Sequence, residues 1–294
     1  MQLPDWPVQR IHTDAAEINC RIAGSGPPLV LLHGFPQTGL HWRKLAPALA
    51  ERHTVIVPDL RGYGDSRGPG ADPAHSGHAK RAMATDVVRI LDALGYGSAQ
   101  IAGHDRGGRV AYRLALDHPE RVDRLALLSI LPTLEMCERL TAESALTAYH
   151  WFFLAQAAPF PETVLGAKPD FFLDWTIGSW LGEPDAIEET AMDAYRAAFR
   201  DPDVIQAACE DYRAGLTLDL AHDRADRDAG KLITCPTHVI WGSEGIAART
   251  ADPLDIWKGW ALDVAATPLP CGHFPAEERP QETLDALWQF FAAS

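Results

Sequence analysis

Asp105 is the central side chain of a run with glycine on both sides, Gly103, His104, Asp105, Arg106, Gly107 and Gly108, between a stretch of strand character and one of helical character. A turn of this kind is strained and brings backbone segments close together, so glycine flanks it and the central side chain is lifted clear of the sheet. The helix that follows aims its first amides at the same point. A carboxylate placed there can attack a saturated carbon in line, expel a leaving group and form an alkyl ester, which water then hydrolyses at the carbonyl. That route calls on no metal and no organic cofactor, so none is expected. By itself the run also fits a glycine-rich turn with a capping aspartate.

Three further features narrow the chemistry. His273, in Gly272, His273 and Phe274 near the end of the chain, follows the last short apolar run and suits a general base, in the order nucleophile then histidine. His33, Gly34, Phe35 and Pro36 follow the first apolar run, where the Phe35 amide, together with that of Arg106, can face an oxyanion. Arg106 and Arg109 are three apart at a helix start and share one face. They read as a fork that grips a substrate carboxylate and turns its α-carbon toward Asp105; the plainer alternative is that one pairs with a surface acid.

These side chains need a scaffold that delivers them to one place. Residues 27–35 and 53–59 read as buried strands, and Trp42, Leu45 and Leu49 between them recur at helical spacing. A helix over 79–94 should stop at Gly95. A strand at 99–102, a helix at 107–116 and a strand at 125–131 complete the first half. Residues 134–220 are rich in Trp, Phe, Tyr and Ala at helical spacing, the texture of an inserted helical cap. Strands at 238–241 and 264–269, with helices at 253–260 and from Pro280 onward, resume the alternation. The expected fold is α/β, a mostly parallel sheet flanked by helices, with a core domain of 1–133 and 221–294 and a cap domain of 134–220.

Composition bounds the partners. The 294 residues are 47% hydrophobic and 22% charged, enough for a large core, and carry a formal charge of −14 that disfavours nucleic acid and anionic membranes. The opening residues lack a charged segment followed by an apolar one, and no apolar stretch approaches a membrane span, so a cytoplasmic enzyme acting on a small molecule is expected. Five scattered cysteines, Cys20, Cys137, Cys209, Cys235 and Cys271, read as packing residues.

With those residues in hand, the chain resembles the fluoroacetate (haloacetate) dehalogenase family of α/β hydrolases. The matching stretches are HGFPQ, DLRGYGDS at 59–66, GHDRGGRVAYRLALDHP at 103–119, YHW at 149–151, EDYRAG at 210–215 and CGHFPAEE near the end. DLRGYGDS is shared widely among α/β hydrolases, whereas DRGGR and YHW are more selective. The resemblance implies an α/β-hydrolase fold, hydrolytic removal of halide from small 2-haloacids, a homodimer, a halide pocket of His150, Trp151 and Tyr212, and Trp180 as a further wall. The residue types agree: an imidazole, an indole and a phenol are donors that can converge on a leaving anion, and fluoride accepts hydrogen bonds avidly.

One position departs from the family pattern. The acid that orients the histidine should follow the strand ending near Leu128, and Ser129 stands there. A serine accepts a hydrogen bond but cannot neutralise an imidazolium. Either the role has moved to Glu244, in Trp241, Gly242, Ser243 and Glu244, or the histidine is weakly supported and ester hydrolysis slows. Rival readings follow from the same residues. An epoxide hydrolase would use Asp105 and His273 with Tyr149 and Tyr212 as donors, while a haloalkane dehalogenase would gain nothing from Arg106 and Arg109. A silent hydrolase-fold protein would bind small carboxylates without releasing halide.

Overall fold

The computed structural model describes residues 3–292. Its strands are β1 (Val8–His12), β2 (Glu17–Gly24), β3 (Pro28–Leu32), β4 (Thr54–Pro58), β5 (Ala99–His104), β6 (Val122–Leu128), β7 (Thr237–Gly242) and β8 (Val264–Leu269). They form one sheet in the order β1-β2-β4-β3-β5-β6-β7-β8. From β4 to β8 neighbours run parallel; β1 pairs β2 and β2 pairs β4 antiparallel. The central strands are continuous apolar runs because both faces are covered. Alternate residues serve opposite layers: Val30, Ile101 and Leu127 pack with Val87, Leu91 and Val110 on one side. Leu31, Val57 and Ala102 pack with Trp42, Leu45 and Leu287 on the other.

The antiparallel edge has no apolar run to announce it. β1 buries only Ile11, and β2 interleaves buried Asn19 with half-exposed Arg21. The helix Lys80–Leu94 ends as expected at Gly95, which adopts φ 79°. Around Trp42 the expected helix is instead a 3₁₀ turn, Gly39–Trp42, and a single turn, Ala46–Leu49. Pro47 has no N–H with which to continue a helix through this stretch. β6 stops at Leu128, short of the expected residue 131, because Ser129 turns into the left-handed region at φ 55°.

Between β6 and β7 the regular structure is helical, from Thr133–Glu138 through Tyr149–Leu154, Pro169–Trp180 and Pro202–Ala214 to Leu220–Asp228. Two of these, Pro202–Ala214 and Leu220–Asp228, are joined by a π-turn, Gly215–Asp219. Among the described residues no helix is long and apolar enough to cross a membrane. All five cysteines are free thiols, four of them buried.

The fold also encloses many histidines. Burial lowers His78 and His238 to about 4 and His104 and His150 to about 3, and it holds His41 well below its usual value. The unfolded chain binds protons at these rings near pH 6.5 and the native chain does not, so stability is present above that pH and is lost as pH falls toward 4. Each ring contributes a slope of about 1.4 kcal/mol per pH unit across that window. Asp219, Asp223 and Glu277, raised by burial, work in the opposite direction and offset part of it. Urea unfolding at pH 7.5 and pH 5.0 should therefore show a clearly lower midpoint at pH 5.0. Equal midpoints would mean that the rings take up protons inside the folded protein.

Candidate active site

Asp105 joins β5 to the helix Arg106–Asp117 with φ 47° and ψ −117°, a strained conformation for any residue with a side chain. Two glycines make the strain tolerable. A Cβ on Gly107 would collide with the backbone of Leu32 and His33, and one on Gly34 would collide with Asp105 itself. The loop after β3 therefore lies directly against the carboxylate, and the Phe35 N–H donates to Asp105 Oδ1 at 3.0 Å. His33 fixes that loop by accepting the Leu60 N–H at Nε2 (2.9 Å). His273 Nε2 stands 3.6 Å from the other oxygen, Oδ2. Burial raises the Asp105 carboxyl, but His273, His104 and Arg106 pull it well below the usual carboxylate range, so it is an anion.

Arg106 and Arg109 are both buried. Arg106 does not meet a surface acid: Nε donates to Asp211 Oδ2 (2.9 Å), and Nη2 donates to the Asp211 carbonyl (2.8 Å) and to Oδ1. Its Nη1 has no protein partner. Arg109 donates from Nη1 to the Leu131 carbonyl (3.1 Å) and to Thr133 Oγ1 (2.9 Å), and its Nε is unpartnered. The two guanidinium groups bracket one ring, lying 5.9 and 4.5 Å from the centre of Trp151. Arg106 also covers Tyr212 at 4.3 Å.

Asp211 is a site residue that the sequence reading passed over, although it lies inside EDYRAG. It is fully buried and accepts from Arg106, from Lys80 Nζ and from the Tyr63 hydroxyl (2.9 Å). Asp219, at the end of the π-turn, accepts the Lys80 N–H at 2.8 Å. Burial presses on the Arg106 guanidinium, but Asp211 holds it well above its ordinary value, and burial raises Asp219 against the pull of Lys80. The only available signal was a row of charged residues in a helix whose neighbours are apolar.

His150, Trp151, Tyr212 and Trp180 surround the same space. The His150 ring lies 4.5 Å from Trp180 and 5.5 Å from Tyr212, and Trp151 lies 6.1 Å from Tyr212. Burial lowers His150 to about 3, leaving it neutral, and raises Tyr212 well above 10, leaving it protonated. His150 Nδ1, Trp180 Nε1 and the Tyr212 hydroxyl are buried without a protein partner. Tyr149 is different, because its hydroxyl bonds Thr176 Oγ1 at 3.0 Å. Asp105, Arg109, Ser129, His150, Trp151, Trp180 and His273 line a cavity of about 20 Å³, little more than one water requires.

The acid is not where the histidine needs it. His273 Nδ1 and Ser129 Oγ are both buried, face this cavity and have no partner. Glu244 is exposed and makes no hydrogen bond to His273. The turn after β7 explains its direction: the Ser243 and Glu244 amides pair with the Leu269 and Cys271 carbonyls, and it is Gly245, with 3.1 Å between its missing Cβ and the Gly272 carbonyl, that faces the histidine loop. Among the described residues no group of His, Cys, Asp and Glu could hold a metal ion.

Comparison with known proteins gives a consistent picture. Residues 27–280 match the family model for the alpha/beta hydrolase fold. Fluoroacetate dehalogenase from Burkholderia sp is 41% identical over 94% of this chain and 90% of its own. Soluble epoxide hydrolase from Corynebacterium sp. (strain C12) is 35% identical over 92% of each. A crystal structure from Nostoc sp PCC 7120 superposes with a TM-score of 0.96 at 46% identity, covering 99% of this chain and all of the other.

The buried charge chain gives a stability prediction. Asp211→Asn leaves Arg106 and Lys80 without their shared counter-charge and should cost about 3–5 kcal/mol in urea unfolding. A loss below about 1 kcal/mol would show that these cations are solvated after all.

Proposed function

Because the chain belongs to the fluoroacetate dehalogenase family of α/β hydrolases, we propose that this hydrolase converts small 2-haloacids, such as fluoroacetate or chloroacetate, to 2-hydroxy acids. Asp105 Oδ2 attacks the α-carbon, the carbon–halogen bond breaks, and its electron pair leaves with the halide. His150, Trp151 and Tyr212, with the Trp180 indole beside them, donate to that anion. The unpartnered N–H groups of Arg106 and Arg109 take the substrate carboxylate. Water then adds to Cγ of the ester while His273 Nε2 takes its proton. The Phe35 N–H, already 3.0 Å from Oδ1, donates to the oxyanion. Collapse restores the Asp105 carboxyl and releases the hydroxy acid, and one proton passes to solvent.

The observation that carries this reading is a pair of buried guanidinium groups, each with an unpartnered N–H, beside the nucleophile. Such donors are costly to bury unless an anion completes them. The epoxide-hydrolase reading has less support, since of its two tyrosines Tyr149 is engaged with Thr176.

Chloroacetate and fluoroacetate should release halide, and styrene oxide should not open. A His273→Asn variant should accumulate an ester on Asp105, seen by intact mass. Turnover in heavy-oxygen water that leaves no label on Asp105 would sink the mechanism.

For the assembly we propose a homodimer through the outer face of the helical insertion, where Phe160, Phe171 and Trp175 are exposed and the last two rings stack 6.3 Å apart. Trp175→Glu should then sediment as a single chain. Wild-type protein that does so at micromolar concentration removes this proposal.

A further inference from the structure

His273 must hold its ring toward Asp105 with nothing bonded to Nδ1, so its orientation has to come from elsewhere. The three main-chain amides of residues 272–274 and the His273 carbonyl are all engaged. The Gly272 N–H donates to Glu278 Oε2 (3.0 Å), the His273 N–H to the Trp180 carbonyl (2.9 Å) and the Phe274 N–H to Glu278 Oε1 (3.0 Å). The His273 carbonyl accepts from His104 Nε2 at 2.8 Å, which fixes the tautomer of His104, kept neutral by burial. Glu278 also accepts the Gly182 and Glu183 amides at 2.7 and 3.1 Å, in the loop after the helix Pro169–Trp180.

Glu278 is thus a buried carboxylate held by four backbone N–H groups from two segments far apart in the chain. No Lys, Arg or His pairs with it among the described residues. A glutamate that only capped the short helix Pro275–Glu278 would need the Phe274 amide alone. The segments it joins cross without room for side chains: a Cβ on Gly182 would stand 2.6 Å from the Gly272 nitrogen. Trp180 comes with them, its indole edge-on to the His273 ring at 5.3 Å.

We propose that Glu278 is the positioning residue for His273, so that the base is oriented through its main chain in place of an acid at its ring. Four charge-assisted hydrogen bonds replace the hydration that the carboxylate loses. A glutamine cannot do the same, because its amide N–H₂ would point at amide donors. The proposal rests on the two-step route through Asp105 and His273 above, and not on the choice of substrate.

The test separates the two steps by rapid quench and intact mass with chloroacetate. In Glu278→Gln the ester on Asp105 should form within about twofold of the wild-type rate, while its decay falls at least about tenfold, since displacement of a catalytic group by about 1 Å can cost 10²-fold. General loosening would slow both steps alike. Ser129→Asp puts a carboxylate in the wall of the cavity that His273 also lines, where it can take over the orienting role, so in that background the same change should cost much less. Decay unchanged in Glu278→Gln, or an equal loss in both backgrounds, overturns the proposal. Wild-type protein that never forms an ester overturns the route beneath it, a separate failure. Should Glu278→Gln not fold, Glu278→Asp, which keeps the charge and shortens the reach, carries the same comparison.

Discussion

A carboxylate shut away from water keeps its charge only if its surroundings answer it, and most of this structure follows from how that is done for Asp105. The strained turn places the group at the wall of one small cavity. On one oxygen sits a backbone amide, and near the other a histidine. Glycine at 34 and 107 is a condition of the first, since the loop after β3 and the turn at Asp105 could not approach past a larger residue. The sheet order serves the same end: β3 and β5 are neighbours, so the loop with the Phe35 amide and the turn with Asp105 leave the sheet side by side.

The second layer of charge is arranged along one helix. Pro202–Ala214 carries Asp211, which holds Arg106, and next to it Tyr212, which packs on His150 and Trp151 with its hydroxyl unpartnered. One turn further, Gly215 leaves 3.1 Å between its missing Cβ and Arg106 Nη2, and the helix widens into a π-turn that brings Asp219 to Lys80. The spacing between the Arg106 guanidinium and the phenol is therefore set within a single element instead of across the gap between insertion and sheet. π-turns commonly mark such sites because the extra residue redirects side chains without ending the helix.

What the sequence disclosed, and what it withheld, divides by range. The parallel strands were legible because burial on both faces leaves an unbroken apolar run. β1 and β2, at an edge with mixed exposure, left no such trace. Asp105 and His273 could be found from glycine placement and chain order, both local properties. The partner of Arg106 lies 105 residues away and is joined to it by charge and hydrogen bonds across the fold, which no local pattern encodes. Glu278 was harder still, because its partners are backbone amides and carry no residue identity. A role for Glu244 depends on which of two adjacent positions a tight turn directs inward, and the peptide pairing of Ser243 and Glu244 directs the glycine inward instead.

The five thiols acquire a meaning beside the proposed chemistry. Compounds with a halogen next to a carboxylate are themselves alkylating agents, and the thiolate is the form of cysteine they attack. Burial pushes Cys235 up to about 11 and Cys209 and Cys271 to about 12, and Cys20 higher still. At neutral pH only about one in 10⁴ of even the most acidic of those four sulfurs is ionised, and little of it is open to solvent. The same packing that builds the core thus shields those four thiols from alkylation by the molecules the proposed reaction would use.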